Sequence, residues 1–413
     1  MDAAPKKFVP TPFAYHQEIE LDIDNLSNMG QGVGRIEGWV VFVPYALPGE
    51  RVRARVYRNE KNCSMADLAE VLKPSPSRVQ PFCPLFGYCG GCQYQHLAYE
   101  DQLAWKTGQV AELMRLQAGL TVPVLPAAAS PRTDHYRSKI TPHFHKPKGT
   151  GIGNIGFLKT GSRGDVVDIE QCPIAMEIIN EALPPLRRMV RKASAQYRRG
   201  ATLLMRASEN TVITNNNAVA TEQVGKLTFH FLAGDFFQNN PYILPLFTEY
   251  VGRKAAESGA SYLVDAYCGS GLFALSLASR FKKVLGVEVS ETSADWARSN
   301  ARTNGIEHAS FLAASAEAIF AEVDFPAEET AVVIDPPRKG CDMVFLEQLF
   351  AFGPKRVVYV SCNPATQIRD LAEFDKAGYR IEEVQPFDLF PQTRHLECVV
   401  TLSREQEYEG PAT

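Results

Sequence analysis

The chain has 413 residues, 22% of them charged, with a net charge of −4 and nine cysteines. That length exceeds one ordinary hydrophobic core, so two or three domains are expected. No run approaches the roughly 18 uninterrupted apolar residues of a membrane helix, the start "MDAAPKKF" has no secretory apolar core, and the acidic balance denies the chain an overall nucleic-acid footprint.

A reduced, cytoplasmic setting follows, in which the thiols serve metal binding or catalysis and not disulfides.

From residue 17 to about 73, short β-rich runs alternate with turns: "EIELDIDNL", "GQGVGRIEGWVVFVP", "ERVRARVYR" and "ADLAEVL". This spacing predicts a small barrel over 13–75. "KPSPSRVQPFCP" then reads as a linker. Residues 76–230 carry mixed, weaker periodicities and are expected to form a central domain. Within it, "LRRMVRKASAQYRR" (186–199) holds six basic residues and no acid, a solvated helix face or an RNA-facing one.

After "GDFFQNNP", the runs "YLVDAYCG", "KVLGVEVS", "AVVIDPP" and "RVVYVSCNP" alternate with helical stretches such as "SADWARSNARTNG", and "LECVVTL" closes the set. Residues 231–413 therefore read as an α/β domain on a parallel, Rossmann-like sheet.

The first of these strands leads into a tight turn in which Gly269 and Gly271 let the backbone approach a ligand. Glu288, seventeen residues after Gly271, ends the next strand, where a carboxylate can accept hydrogen bonds from ribose hydroxyls. Gly269, Gly271 and Ala274 also fit the dinucleotide pattern G-x-G-x-x-A. Asp265 before the turn tips the balance, together with "VVIDPPRKG" further on. An acid there repels a pyrophosphate but suits the ammonium of S-adenosylmethionine.

Cys362 ends a strand of the same sheet, and Pro364 stops that strand, so the thiol lies at the edge where open α/β sheets bind ligands. Cys268, Cys341 and Cys398 read as small apolar core residues. If the acceptor is a pyrimidine, a thiolate adding to C6 makes C5 electron-rich enough to attack a sulfonium methyl. A base must then remove the C5 proton, and Glu397, at the start of the last strand, is either that base or a solvated strand-end acid.

"FCPLFGYCGGCQYQH" sets Cys83, Cys89 and Cys92 as C-x5-C-x2-C, with Cys172 in "EQCPI" as a plausible fourth ligand. Gly87, Gly90 and Gly91 permit tight wrapping around a metal centre. The spacing favours an iron–sulphur cluster over structural zinc, and it is not the C-x3-C-x2-C of radical enzymes.

Taken in order, "FVPYALPGERV", "CPLFGYCGGCQYQHLAYEDQLAWK", "GDFFQNN", "DAYCGSG", "DPPRKG", "SCNP" and "RHLE" resemble the RNA uracil-5-methyltransferase family from about Glu18 to Arg404. The resemblance implies an N-terminal TRAM (OB-like) barrel, a mixed central domain and a Rossmann-like methyltransferase domain. It implies a 4Fe–4S cluster on Cys83, Cys89, Cys92 and Cys172. It also implies donor contacts from Gln238, Tyr267, Glu288 and Asp335, with Cys362 as nucleophile and Glu397 as base. Leu272 departs from the polar residue of many bacterial members, so no contact is assigned to it. The RNA is tRNA or 23S rRNA, since some segments resemble the fungal tRNA enzymes and the barrel and cluster the bacterial rRNA enzymes.

The expected protein is a monomeric enzyme that acts on folded RNA, not on DNA or membranes, with Phe236, Phe237 and Gln238 placed to stack on or read a flipped base. The rival enzyme is an RNA cytosine-C5 methyltransferase, which needs an acid to protonate N3. The non-enzyme rival is an inactive RNA-binding module on the same fold.

Overall fold

The computed structural model describes residues 4–145, 151–314, 319–320 and 322–404. They form two compact units, one of residues 1–109, 157–167 and 392–394, the other of 110–156, 168–391 and 395–413. The middle segment, read from sequence as one domain, contributes to both.

In the first unit, strands Glu18–Leu26, Gln31–Ile36, Trp39–Pro44, Arg51–Asn59 and Cys63–Lys73 close into a barrel. Alternation along them makes the closure possible: Ile19, Leu21, Ile23, Val52, Ala54 and Val56 all point into one core, while the charged residues between them face outward. Residues 74–81 carry no regular element, as the linker reading expects.

The second unit is built on a seven-stranded sheet. Across it the order is Ala309–Ala313, Lys283–Glu288, Tyr262–Ala266, Thr330–Ile334, Arg356–Ser361, Glu397–Arg404 and Tyr379–Phe387. The first five pair in parallel, and Glu397–Arg404 runs against both its neighbours. The central strands are largely apolar because helices cover both faces, Asp265 being the buried exception in Tyr262–Ala266. Leu263 belongs to one buried cluster and Val264 with Ala266 to the other. Truncating Leu263 to alanine between those layers should cost about 2–5 kcal/mol.

The order reverses between Tyr262–Ala266 and Thr330–Ile334, and such a switch point opens a crevice at the strands' carboxyl ends. Asp265, Glu288, Asp335 and Cys362 all lie at or just beyond those ends. A hairpin of Val219–Val224 and Leu227–Leu232 also belongs to this unit. Helix Glu291–Thr303 seals its edge, Asn300 and Asn304 each bonding one hairpin residue's N–H and C=O.

Candidate active site

Cys362 follows strand Arg356–Ser361 and precedes helix Pro364–Lys376, whose first position takes proline without loss because no N–H is needed there. Ser361 accepts a hydrogen bond from the Asn363 N–H at 3.1 Å, fixing the turn that carries the thiol. The neighbouring antiparallel strand pairs Cys398 with Ser361, and one further step of that register sets Glu397 opposite Cys362. Gln367 ties the two strands together, donating to Tyr359 O at 2.9 Å and Cys398 O at 3.1 Å.

Glu397 is only 2% exposed, and its Oε2 has no hydrogen-bond partner. Burial, then the nearby Asp335 carboxyl, holds its pKa well above the carboxylate range, with the Arg338 cation opposing them. An acid placed this way is no solvated strand end. Burial likewise raises Asp335. The half-buried Cys362 thiol is pushed up to about 11 by burial and by the Glu397 and Asp335 charges.

Arg338 acts in the other direction, its cation drawing the Cys362 thiol pKa down. Its carbonyl is clamped by Asn363 Nδ2 at 3.0 Å and Thr366 Oγ1 at 3.1 Å. The same turn is held from below, where Asp370, 2% exposed, accepts from the Cys341 N–H at 2.8 Å and the Tyr359 hydroxyl at 2.7 Å. Gly340 permits this: at φ 81° it lies where a Cβ would come within 2.6 Å of the Asp370 carboxylate. Sequence reasoning passed over Arg338, since one arginine in a Pro-Gly turn carries no signal until the thiol is seen beside it.

Removing the guanidinium in Arg338→Met should raise the thiol pKa further. Below its pKa a thiol loses about tenfold in thiolate for each unit of upward shift. Alkylation of Cys362 by iodoacetamide, read by peptide mass spectrometry, should therefore slow at pH 7.5 and recover in part at pH 9. Equal slowing at both values would assign Arg338 to holding the turn instead.

Beside these groups lies an acidic crevice. Asp265, wholly buried, accepts the Ala274 N–H at 2.7 Å through Oδ2, and its Oδ1 has no partner. It therefore stands behind the glycine turn as a helix cap, and burial raises its pKa well above normal, reinforced by Asp335 and Glu288. Glu288 accepts from the N–H groups of Gly269 at 2.9 Å and Ser290 at 3.0 Å. Tyr267 (φ 67°), Gly269 (φ 55°) and Gly271 (φ 91°) all take left-handed backbone, and open space lies where a Gly269 Cβ would be. Three carboxyls around a turn with clear approach suit a cationic donor and oppose a pyrophosphate.

Asn300, fully buried, donates to Ser270 O of this turn at 3.0 Å and to His230 O of the hairpin at 3.0 Å, a link that the sequence did not suggest.

The loop after the hairpin is gripped through its carbonyls. Arg206 donates to Ala233 O at 3.1 Å and Asp235 O at 3.2 Å, and Lys139 to Gly234 O at 3.1 Å and Asp235 O at 3.2 Å. It presents Phe236 75% exposed and buries Gln238 to 3%. Phe237 corrects the expectation: it stacks on Phe231 at 4.3 Å, 3% exposed, and belongs to the core. Gln238 shares no hydrogen bond with the carboxyl groups among the described residues.

In the first unit, Cys83, Cys89 and Cys92 are half-buried on a turn-rich segment. Gln95 Oε1 accepts the Cys83 N–H at 3.0 Å, and the Cys89 N–H goes to Leu85 O at 2.8 Å. Burial, with the Cys83 thiol nearby, pushes the Cys89 thiol up. Cys172 belongs to the second unit. Among the described residues no three His, Cys, Asp or Glu side chains are arranged to hold a metal ion. Cys268, Cys341 and Cys398 are buried, as core residues should be.

Comparison with known proteins agrees with the geometry. A family model for tRNA (uracil-5-)-methyltransferase matches residues 198–405, and one for the TRAM domain matches 16–69. The tRNA (uracil(54)-C(5))-methyltransferase of Schizosaccharomyces pombe is 44% identical, covering 95% of this chain and 79% of its own. Its Saccharomyces cerevisiae namesake is 34% identical, covering 96% of this chain and 75% of its own. The crystal structure of Pyrococcus abyssi tRNA (uracil-54, C5)-methyltransferase in complex with S-adenosyl-L-homocysteine superposes with a TM-score of 0.73. That pair is 25% identical over 93% of this chain and 99% of the other. With a barrel, a switch-point crevice and the opposed Cys362 and Glu397 all in place, the chain belongs to the tRNA (uracil-5-)-methyltransferase family.

Proposed function

We propose that this protein transfers a methyl group from S-adenosylmethionine to C5 of uridine 54 in tRNA, with Cys362 as nucleophile and Glu397 as base. The observation that carries this reading is the facing pair itself. A thiol just past the end of one strand and a buried carboxyl, unpartnered at Oε2, at the start of its antiparallel neighbour lie beside an acidic crevice. The relatives, tRNA (uracil-54) methyltransferases by name, support tRNA over the 23S rRNA alternative. The barrel, the middle segment and the residues from 231 onward would then divide RNA handling from methyl transfer. Free cysteines fit a cytoplasmic enzyme, and a monomer that acts on RNA and not on DNA is part of the proposal.

The donor supplies an electrophilic methyl on a sulfonium. Glu288 would take its ribose, open space at Gly269 would admit it, and Tyr267, Asp335 and Gln238 would complete the contacts. Asp265 acts from behind the turn by holding its backbone through the Ala274 N–H. A cation in this crevice would offset the repulsion that raises Asp335 and Glu397, making the donor-bound state the one in which Glu397 can be an anion.

Arg338 steadies the Cys362 thiolate, which adds through Sγ to C6 of the flipped uracil. The electron pair displaced onto the C4 enolate gives C5 its nucleophilicity, and C5 takes the methyl as the sulfonium becomes a thioether. Glu397 then removes the C5 proton, the C5–C6 double bond re-forms, and Cys362 departs as thiolate. Exposed Phe236 is placed to stack on the extruded base.

A 4Fe–4S cluster on Cys83, Cys89, Cys92 and Cys172 is part of this proposal. It rests on the C-x5-C-x2-C spacing, and the described residues form no metal-ligand group in its support. No step above runs through it. Protein purified without oxygen should be brown with about four irons per chain, and Cys172→Ala should lose them. Full iron in that variant would remove Cys172 from the ligand set, and colourless protein with one zinc would replace the cluster with structural zinc.

Cells lacking this protein should yield tRNA without 5-methyluridine at position 54 and 23S rRNA with its 5-methyluridines intact, measured by nucleoside mass spectrometry. The opposite pattern would move the substrate to rRNA.

A further inference from the structure

The helix Glu177–Lys192 and the segment up to Arg199 carry six cations, and the structure divides them sharply. Arg187, 4% exposed, and Arg191 share one carboxylate, Asp168, at 2.5 and 3.1 Å. Those two hold the fold together. Arg188, Lys192, Arg198 and Arg199 are exposed and have no ion-pair or hydrogen-bond partner among the described residues.

Arg188 and Lys192 are four residues apart, so they rise from the same side of the helix. With Pro185, Met189, Ala193 and Gln196 they line a shallow, open depression of about 550 Å³. Met189 is 59% exposed.

A helix dipole explains cations in the last turn and nothing beyond it. Arg198 and Arg199 lie past the helix, and exposed Met189 lines the same depression as Arg188 and Lys192. The whole chain is net acidic, at −4, so the acid-free run of residues 186–199 is local. Cations beside exposed apolar side chains match RNA, whose phosphates meet the charges while a ribose or base edge rests on the methionine.

We infer that this face is an RNA-backbone contact, separate from the residues that perform the chemistry, which lets the protein grip its tRNA by charge. The inference rests on the tRNA reading above.

The test is equilibrium binding of unmodified tRNA by the full-length protein between 50 and 200 mM salt. In Arg188→Gln/Lys192→Gln the affinity should fall. The slope of log Kd against log salt should flatten by about 0.7–0.9 for each phosphate no longer neutralised, about 1.5 in all. Arg302→Gln, on another exposed helix, should leave the slope where it was, and thermal unfolding should confirm that both variants fold.

A folded double variant with unchanged slope and affinity would overturn the RNA face while leaving tRNA methylation by the wild type untouched. Loss of binding to anionic phosphatidylserine vesicles, with tRNA binding intact, would reassign the face to a membrane surface and equally overturn it. A wild type that neither binds nor methylates tRNA would instead overturn the functional reading.

Discussion

Replacing Cys362 with alanine is expected to reduce 5-methyluridine formation below detection, a loss of at least about 10⁴-fold, the scale seen when a covalent nucleophile is removed. Without the sulphur, C6 has no partner and C5 stays too electron-poor to attack a methyl group. Donor binding should survive almost unchanged. The thiol contributes only a neighbouring, mostly protonated group to the crevice, since its pKa is pushed up to about 11. Calorimetry of S-adenosylhomocysteine binding separates the two effects. Measurable product from the pure variant would remove Cys362 from the chemistry.

Glu397→Gln should fail later and leave a trace. Addition and methyl transfer precede proton removal, so the amide permits both and the reaction halts as a methylated, covalent protein–RNA complex. Ordinary tRNA and labelled donor should then give a slow, labelled band on a denaturing gel, and wild type little or none. Normal turnover without a trapped band would give the proton to another group.

The same substitution has a second signature, in stability. A carboxyl whose pKa is raised in the folded protein is protonated there while its unfolded counterpart ionises, so wild-type stability drops as pH rises above the unfolded value of about 4.3. Glu397 is such a group, buried and unpartnered at Oε2. Glu397→Gln cannot ionise and should melt higher than wild type at pH 8, with the gap closing towards pH 4. A gap independent of pH would mean the carboxyl is not held neutral.

The strands were legible because their buried runs are mostly apolar, and two of them lead into prolines, Pro336 after Asp335 and Pro364 after Cys362. The barrel was legible through alternation, which shows on any strand with one dry face. Glu397 was only half legible. A strand-start acid looks solvated until register places it opposite the thiol and burial shows that no water reaches it.

Three features depended on contacts that no local pattern encodes. Phe237 differs from Phe236 by one position, yet only the pairing with Phe231 shows which of the two faces inward. Asp265 announced the right charge, but its side chain caps the helix from behind the turn. Arg187 and Arg191 could not be told from Arg188 and Lys192 without Asp168, which lies well back along the chain.

The central claim is attack by Cys362 on a uridine of tRNA, and capture on tRNA carrying 5-fluorouridine at position 54 tests it most directly. Fluorine at C5 cannot leave as a proton, so wild-type protein with S-adenosylmethionine should form a complex that survives denaturation. Peptide mapping of that complex should place the nucleotide on Cys362. Attachment to a different residue, or continued methylation of ordinary tRNA with no complex formed on the fluorinated one, would contradict the account.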